Sequence, residues 1–408
     1  MTYQHTRYAS YLGNVTQAII NNLAPLLFLT FQREFDISLE RIGLLISLNF
    51  GIQIVTDLIA ARLVDKIGYR ISAVLSHGFC AAGLLLLGVL PYVADPYWGL
   101  VMAISLSAVG GGMTEVIISP IVESLPSDQK ASDMSLLHSF YSWGQVAVVL
   151  LSTLYFVTVG AASWRFLPMI WAVIPAFNLC LFTMVPMCTL VEEAHKLPLK
   201  KLFAKKIFWL FLVLMLCAGA SEIAMSQWSS LFAEAGLGVS KTVGDLLGPC
   251  AFAVLMGLSR MFYGVKGQNI KMGHALLLSC ALCVASYLLT ALSKNPFMSL
   301  FGCALCGLSV GLMWPGVYSL SAQCYPQGGT AMFAMLALAG DAGCTVGPAL
   351  VGVISEKVQS ASIDVSAWAF LGQTITEVSL KAGMLTMVLF PAIMLIGVFV
   401  LLKKSQKN

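Results

Sequence analysis

Residues 8–32, YASYLGNVTQAIINNLAPLLFLTFQ, contain no Asp, Glu, Lys or Arg. A hydrocarbon core of ~30 Å is crossed by ~20 apolar residues in a helix, so this stretch is long enough to span a bilayer. Runs of the same kind recur at 71–94, 96–114, 166–191, 272–293 and 382–402. Two longer charge-poor runs each hold a pair of helices. Residues 134–164 turn at Gly160, and 295–340 break at Tyr325-Pro326-Gln327-Gly328-Gly329. The chain therefore divides into twelve expected membrane helices, at 8–31, 42–64, 71–91, 97–122, 135–158, 165–187, 207–233, 243–264, 272–292, 297–323, 330–355 and 380–402.

Composition leads to the same class. Soluble domains carry about 25% charged residues, and this chain carries 10%. The charges that remain follow topology, because Lys and Arg gather on the cytoplasmic side of a membrane protein. With both termini cytoplasmic, the inner set is Arg7, Lys66, Arg70, Lys130, Lys196, Lys200, Lys201, Lys205, Lys206, Lys266, Lys271, Lys403, Lys404 and Lys407. Those fourteen face seven on the outer side: Arg33, Arg41, Arg165, Lys241, Lys294, Lys357 and Lys381. The net charge of +4 is thus a topology signal and needs no nucleic-acid partner. The short polar start and the absence of a small-residue cleavage pattern predict targeting through the first membrane helix.

The sharpest change in composition is 188–206, with Glu192, Glu193, His195 and five lysines between apolar blocks. It predicts a cytoplasmic linker between six-helix bundles at 1–187 and 207–408. A repeat crosses it at an offset of about 200: Gly111, Met113 and Pro126 correspond to Gly311, Met313 and Pro326, and Asn21-Asn22 to Ser221-Glu222. Two such halves, with solute bound between them, form one of the standard architectures of secondary transporters. The fold class expected is an all-α membrane protein of twelve helices in two pseudo-symmetric bundles.

The segment Ala61-Arg62-Leu63-Val64-Asp65-Lys66-Ile67-Gly68-Tyr69-Arg70 resembles the G-x-L-a-D-r-x-G-r-r loop of the major facilitator superfamily, and the likeness runs over essentially the whole chain. The resemblance implies that Asp65 and Arg70 form a cytoplasmic latch stabilising an outward-facing state. Residues 257–264 keep an Arg, Arg260, of a weaker second copy. Asn21-Asn22-Leu23 in the first helix, with Gly111-Gly112-Met113-Thr114-Glu115 before Ser119-Pro120 in the fourth, resembles the fucose permease-type sugar:proton symporters. Where that family has an Asp after Asn-Asn-Leu, Ala24-Pro25 stands here, so one of its two coupling acids is missing.

A charge at the bilayer centre costs about 2.5–3.5 kcal/mol on insertion scales, which makes each intramembrane ionisable residue a site hypothesis. Asp57, Glu115, His138, Glu222 and Asp341 qualify. Polar stripes at helical spacing accompany them: Asn14, Gln17 and Asn21; Asn49, Gln53 and Asp57; His138, Tyr141, Ser142 and Gln145. One face of each helix should then meet a polar cavity or a partner helix. In the seventh helix Glu222, Ser226 and Ser229 share a face flanked by Gln227 and Trp228, and a helix break near them is expected. Trp314 and Tyr318, one turn apart beside Pro315, suit the CH face of a pyranose.

The expected solute-binding residues are Asn21, Asn22, Glu115, Tyr141, Glu222, Gln227, Trp228, Trp314 and Tyr318. Glu115, Glu222 and His138 are the candidate proton carriers, and Asp57, Asp65, Arg70 and Asp341 the candidate latch. The two CxxC patterns, Cys280 to Cys283 and Cys303 to Cys306, lie in apolar helices without a His or carboxylate nearby and read as packing, so no metal or cofactor is expected. No nucleophile with its base and orienter appears, which excludes an enzyme of that kind. The function expected is a monomeric secondary transporter of the cytoplasmic membrane, importing a sugar or related polyol with a proton, or with sodium. An exporter of drugs or amphipathic metabolites on the same fold is the alternative, and the Asn, Gln and Glu stripes speak against its apolar cavity. A membrane sensor or scaffold would need an appended soluble domain. With the linker cytoplasmic, a single cysteine at Lys200 should resist an impermeant thiol reagent in intact cells and react after permeabilisation; ready labelling from outside would reverse the topology.

Overall fold

Inside hydrocarbon no water satisfies a backbone N–H or C=O, so a crossing chain closes its own hydrogen bonds as helices. The computed structural model describes residues 1–126, 130–187, 202–266, 271–325, 329–361, 368 and 371–405, and all regular elements among them are helical. Twelve are long and apolar enough to cross a membrane: α1 (Tyr3–Phe35), α2 (Leu39–Ala60), α3 (Tyr69–Leu87), α4 (Pro96–Val122), α5 (Leu136–Thr158), α6 (Phe166–Met184), α7 (Lys206–Gly236), α8 (Lys241–Tyr263), α9 (Met272–Leu292), α10 (Pro296–Ser321), α11 (Met335–Ser360) and α12 (Ile375–Lys403). Each falls on one of the twelve expected stretches, with ends displaced by a few residues. Most of the expected linker lies outside the described residues.

Local sequence explains the interruptions. In α1 the α-helix Tyr3–Asn22 gives way to a 3-10 turn at Ala24–Leu27 and resumes at Phe28–Phe35. Pro25 has no N–H to donate and its ring crowds the carbonyl one turn back, which tightens the chain just after Asn21-Asn22. Helices α4 and α10 start alike. Asp95 accepts from Trp98 N at 3.1 Å and Asn295 from Phe297 N at 2.9 Å, each followed by a proline in the first turn. These caps, Asp95-Pro96 and Asn295-Pro296, stand 200 residues apart and extend the internal repeat.

By contact the chain divides into two units, Met1–Ile37 with Leu48–Glu192 and Ser38–Ser47 with Glu193–Asn408. In the first, α3 packs on α4 and α6, and α1 packs on α4, α5 and α6. In the second, α9 packs on α10 and α12, and α7 packs on α10, α11 and α12. The same pairing recurs six helices later, which makes the repeat structural. The start of α2 is grouped with the second unit, where Ser47 Oγ donates to Thr345 O at 2.9 Å.

Lipid is as apolar as leucine, so these helices associate through close backbone approach at small residues. Gly219, Gly340 and Gly343 line the contact of α7 with α11, where a Cβ on Gly343 would strike the Leu216 carbonyl and the Ala220 nitrogen. Large apolar side chains face outward, as Phe166, Ile170, Val173 and Phe177 do along α6. One end of the first unit is closed by Glu34, which accepts from Tyr92 Oη at 2.6 Å and Trp164 Nε1 at 2.7 Å. Arg165 stacks its guanidinium 4.7 Å from the Phe166 ring centre. Gly343→Val should lower the melting midpoint of the purified protein and its monodisperse yield, since overpacking costs about 1–3 kcal/mol. Wild-type stability in that variant would contradict the close crossing.

Candidate functional site

In the first unit the polar stripes of α1 and α2 interlock. Asn49 Nδ2 and Gln53 Nε2 both donate to Asn21 Oδ1, at 3.0 and 2.9 Å. Gln17 Nε2 donates to Gln53 Oε1 at 2.8 Å and to Glu115 Oε2 on α4 at 3.2 Å. Gln17, Asn21, Asn49 and Gln53 are buried, whereas Glu115 is exposed although it lies mid-helix. Intramembrane acids almost always face a bundle interior or a water-filled cavity, so this face of α4 is the one expected to meet water. Gly111 and Gly112 make room for the cluster. A Cβ on Gly111 would sit 3.1 Å from Gln17 Oε1, and one on Gly112 would sit 2.9 Å from Asp57 Oδ1. Toward α5, Asn14 Nδ2 donates to Leu137 O at 2.7 Å, and Asn22 Nδ2 lies 3.5 Å from the half-buried Tyr141 hydroxyl. His138, a turn before Tyr141, is exposed.

In the second unit Arg260 Nη2 on α8 reaches both carboxyl oxygens of the buried Glu222 at 3.2 Å. Charge and hydrogen bond together offset part of the cost of that acid's removal from water. Ser226 and Gln227 are buried beside it, and Trp228 is fully buried with Nε1 donating to Pro348 O at 3.1 Å. The α-helix runs unbroken from Lys206 to Leu231, so the expected discontinuity at the polar segment is absent, and a π turn follows at Phe232–Gly236. Trp314 and Tyr318 are half-buried with ring centres 6.4 Å apart. Trp314 lies against Gly340, where any Cβ would strike its ring, and the buried Asp341 is next in sequence.

With this fold and these clusters in place, family comparison is decisive: residues 11–348 match the model of the Major Facilitator Superfamily. The chain belongs to that superfamily. It is a multi-pass membrane transporter of small molecules, not an enzyme. Solved structures share its fold at low identity. A bacterial homologue of the human lysosomal transporter Spinster, in an inward-facing and occupied conformation, is 13% identical with a TM-score of 0.75, over 98% of this chain and 96% of that one. A D-xylose–proton symporter is 12% identical with a TM-score of 0.77, over 96% and 97%. The E. coli fucose:proton symporter is 16% identical with a TM-score of 0.66, over 98% and 99%. No curated protein matches the sequence at a significant level.

Several residues of this superfamily member stand where spacing alone did not place them. Asp57, expected in the latch, lies against Gly112, one turn before Glu115 on α4. Arg70 donates to the carbonyls that end α6: Phe182 at 3.1 Å, Thr183 at 2.7 Å and Val185 at 2.8 Å. The side chain of Asp65 lies outside those described. The CxxC cysteines are buried in α9 and α10, with Cys283 Sγ 3.9 Å from Cys306 Sγ. Among the described residues no group of three His, Cys, Asp or Glu could hold a metal ion.

Two intramembrane ionisable groups escaped the sequence reading. Arg260 was visible as a charge within an apolar run but was absorbed into the degenerate loop motif. His77, fully buried, pairs Nδ1 with Ala73 O and Nε2 with Asn178 Nδ2, each at 2.8 Å. That geometry makes it a neutral packing histidine with Nδ1 as donor. The Glu222–Arg260 pair supports a double-mutant test. Arg260→Leu should cost about 3–5 kcal/mol by stranding a buried carboxylate, and Glu222→Leu with Arg260→Leu should recover most of it. Melting of the purified variants reads this out, and a double variant no more stable than the single would break the pairing.

Proposed function

We propose that the protein is a proton-coupled symporter importing a small polar solute, a sugar or related polyol, with Glu115 as the coupling carboxyl. The observation that carries this is the contrast between two intramembrane acids. Glu222 is held by Arg260, whereas Glu115 is exposed and bonded only to the amide of Gln17. A carboxyl with no basic partner and a path to water is the one able to load and release a proton as the carrier cycles. In the first unit the amide ladder and the half-buried Tyr141, and in the second the half-buried Trp314 and Tyr318, are groups of the kinds that a polyhydroxy solute requires. The fucose and D-xylose symporters of the same fold support the class, although a shared fold alone does not assign a substrate.

In this reading residues 1–187 rock against 207–408, and Arg70 and Asp65 bias the equilibrium between states. The protein works as a monomer in the cytoplasmic membrane with both termini inside. Solute closes the carrier only with Glu115 protonated, so the gradient sets the direction of net movement. Glu115→Gln should mimic the protonated carrier in proteoliposomes. It should bind and exchange labelled sugar, yet fail to concentrate it under an imposed proton gradient. Normal accumulation with a normal dependence on external pH would remove Glu115 from coupling.

A further inference from the structure

The indole of Trp314 on α10 rests on backbone. A Cβ on Gly340 of α11 would strike Cη2 of the indole and sit 2.7 Å from Cζ2 and 2.8 Å from Cζ3, so the distal edge of the six-membered ring lies directly on the glycine. Gly340 is buried and Trp314 half-buried. Carbon–carbon contacts settle at about 3.5–4.0 Å, so a methyl group at Gly340 requires a movement of about 1 Å. Either the ring or the helix must give.

The helix is held. A Cβ on Gly219 of α7 would fall on the Gly340 carbonyl, one on Gly343 would sit 2.8 Å from Ala220 N, and one on Gly347 2.8 Å from Ala220 O. Small residues thus bring the backbones of α7 and α11 together over two turns. One residue beyond Gly347, Trp228 Nε1 ties α7 to Pro348 O at 3.1 Å. Any shift of α11 either presses it into α7 or parts this crossing, and overpacking or a void along so close a contact is costly. The half-buried ring has only its own side-chain torsions to change. Displacement therefore falls on the ring.

We propose that Gly340 is a specificity-determining residue: it seats Trp314, and the depth of that seat sets how large a solute the carrier accepts. This rests on Trp314 facing solute, as in the symport reading. Gly340 itself is a positioning residue and acts through the ring. With glycine the indole lies as close to α11 as carbon contact allows, which leaves the most room in front of it. A larger side chain brings the ring forward by the width it adds.

The test compares full-length wild type with Gly340→Ala, Trp314→Phe and the double variant. Phenylalanine lacks the distal ring atoms that meet Gly340, so the double variant carries the methyl group without the clash. With 5-fluorotryptophan incorporated, the ¹⁹F resonance missing from Trp314→Phe belongs to Trp314, and that of Trp228 is assigned likewise. In Gly340→Ala the Trp314 resonance should shift while that of Trp228, which is tied to α11, stays in place. Exchange of labelled D-glucose and D-xylose, which differ by one CH₂OH group, is then measured in proteoliposomes. Gly340→Ala should raise the KM for D-glucose at least about tenfold relative to that for D-xylose, and the double variant should return to the ratio of Trp314→Phe. An unmoved Trp314 resonance overturns the seat, as does a shift of Trp228 in its place. An unchanged ratio in Gly340→Ala, one that Trp314→Phe does not relieve, or a wild type that exchanges neither sugar overturns the role in specificity. Should Gly340→Ala fail to fold, recovery of folded protein in the double variant supports the seat and continued failure overturns it. Exchange needs no gradient, so the two readings separate: the expected ratio without proton-driven accumulation keeps the seat and removes symport. Accumulation with an unchanged ratio removes the seat and keeps symport.

Discussion

One amide nitrogen joins three helices. Gln17 Nε2 bonds α1 to Gln53 on α2 and to Glu115 on α4, where every unmet polar atom is expensive. The constraint works in both directions. It forces the polar side chains of separate helices to find one another, so Asn21, Asn49, Gln53 and Gln17 form a continuous ladder. It also leaves Gln17 Oε1 and Asp57 Oδ1 bordering the two glycines of α4. Packing and chemistry are therefore not separate layers of this molecule. The small residues that let helices approach are the ones that leave room for the acids.

The two halves handle their intramembrane acid in opposite ways. The repeat gives each half the same helix pairing and the same capped fourth helix, yet Glu222 has an arginine and Glu115 has amides. A paired carboxylate keeps its charge and orientation and so serves as a fixed element. One without a basic partner can change charge at modest cost, which is the property the proposed ion-driven cycle needs. In that reading Glu115 carries the mobile charge and the Glu222–Arg260 pair the static one.

Periodicity made the fold legible. Twelve apolar stretches predicted twelve spanning helices, because hydrocarbon thickness and backbone satisfaction leave few alternatives. Polar stripes likewise announced which faces of α1 and α2 turn inward. Spacing describes a face of one helix and says nothing of the helix opposite, so the neighbour of Asp57 was hidden. Its nearness in sequence to Asp65 suggested the latch, and spacing could not show that it also lies beside Gly112 on α4. The Arg260 bond to Glu222 was hidden for the same reason, since 38 residues separate the two. The anticipated break in α7 did not occur: Lys206–Leu231 contains no proline to remove a backbone donor, and the helix stays continuous through its polar segment.

Arg70 also gives the first unit a mechanical property. Its two terminal nitrogens grip three carbonyls at the end of α6, and Thr6 Oγ1 holds the next, Pro186 O, at 2.6 Å. A planar guanidinium grips such a set at fixed angles, whereas an ammonium would let it swivel. The end of α6 is consequently tied to the start of α3 through one planar group, so a displacement of Val185 bears on the turn at Gly68.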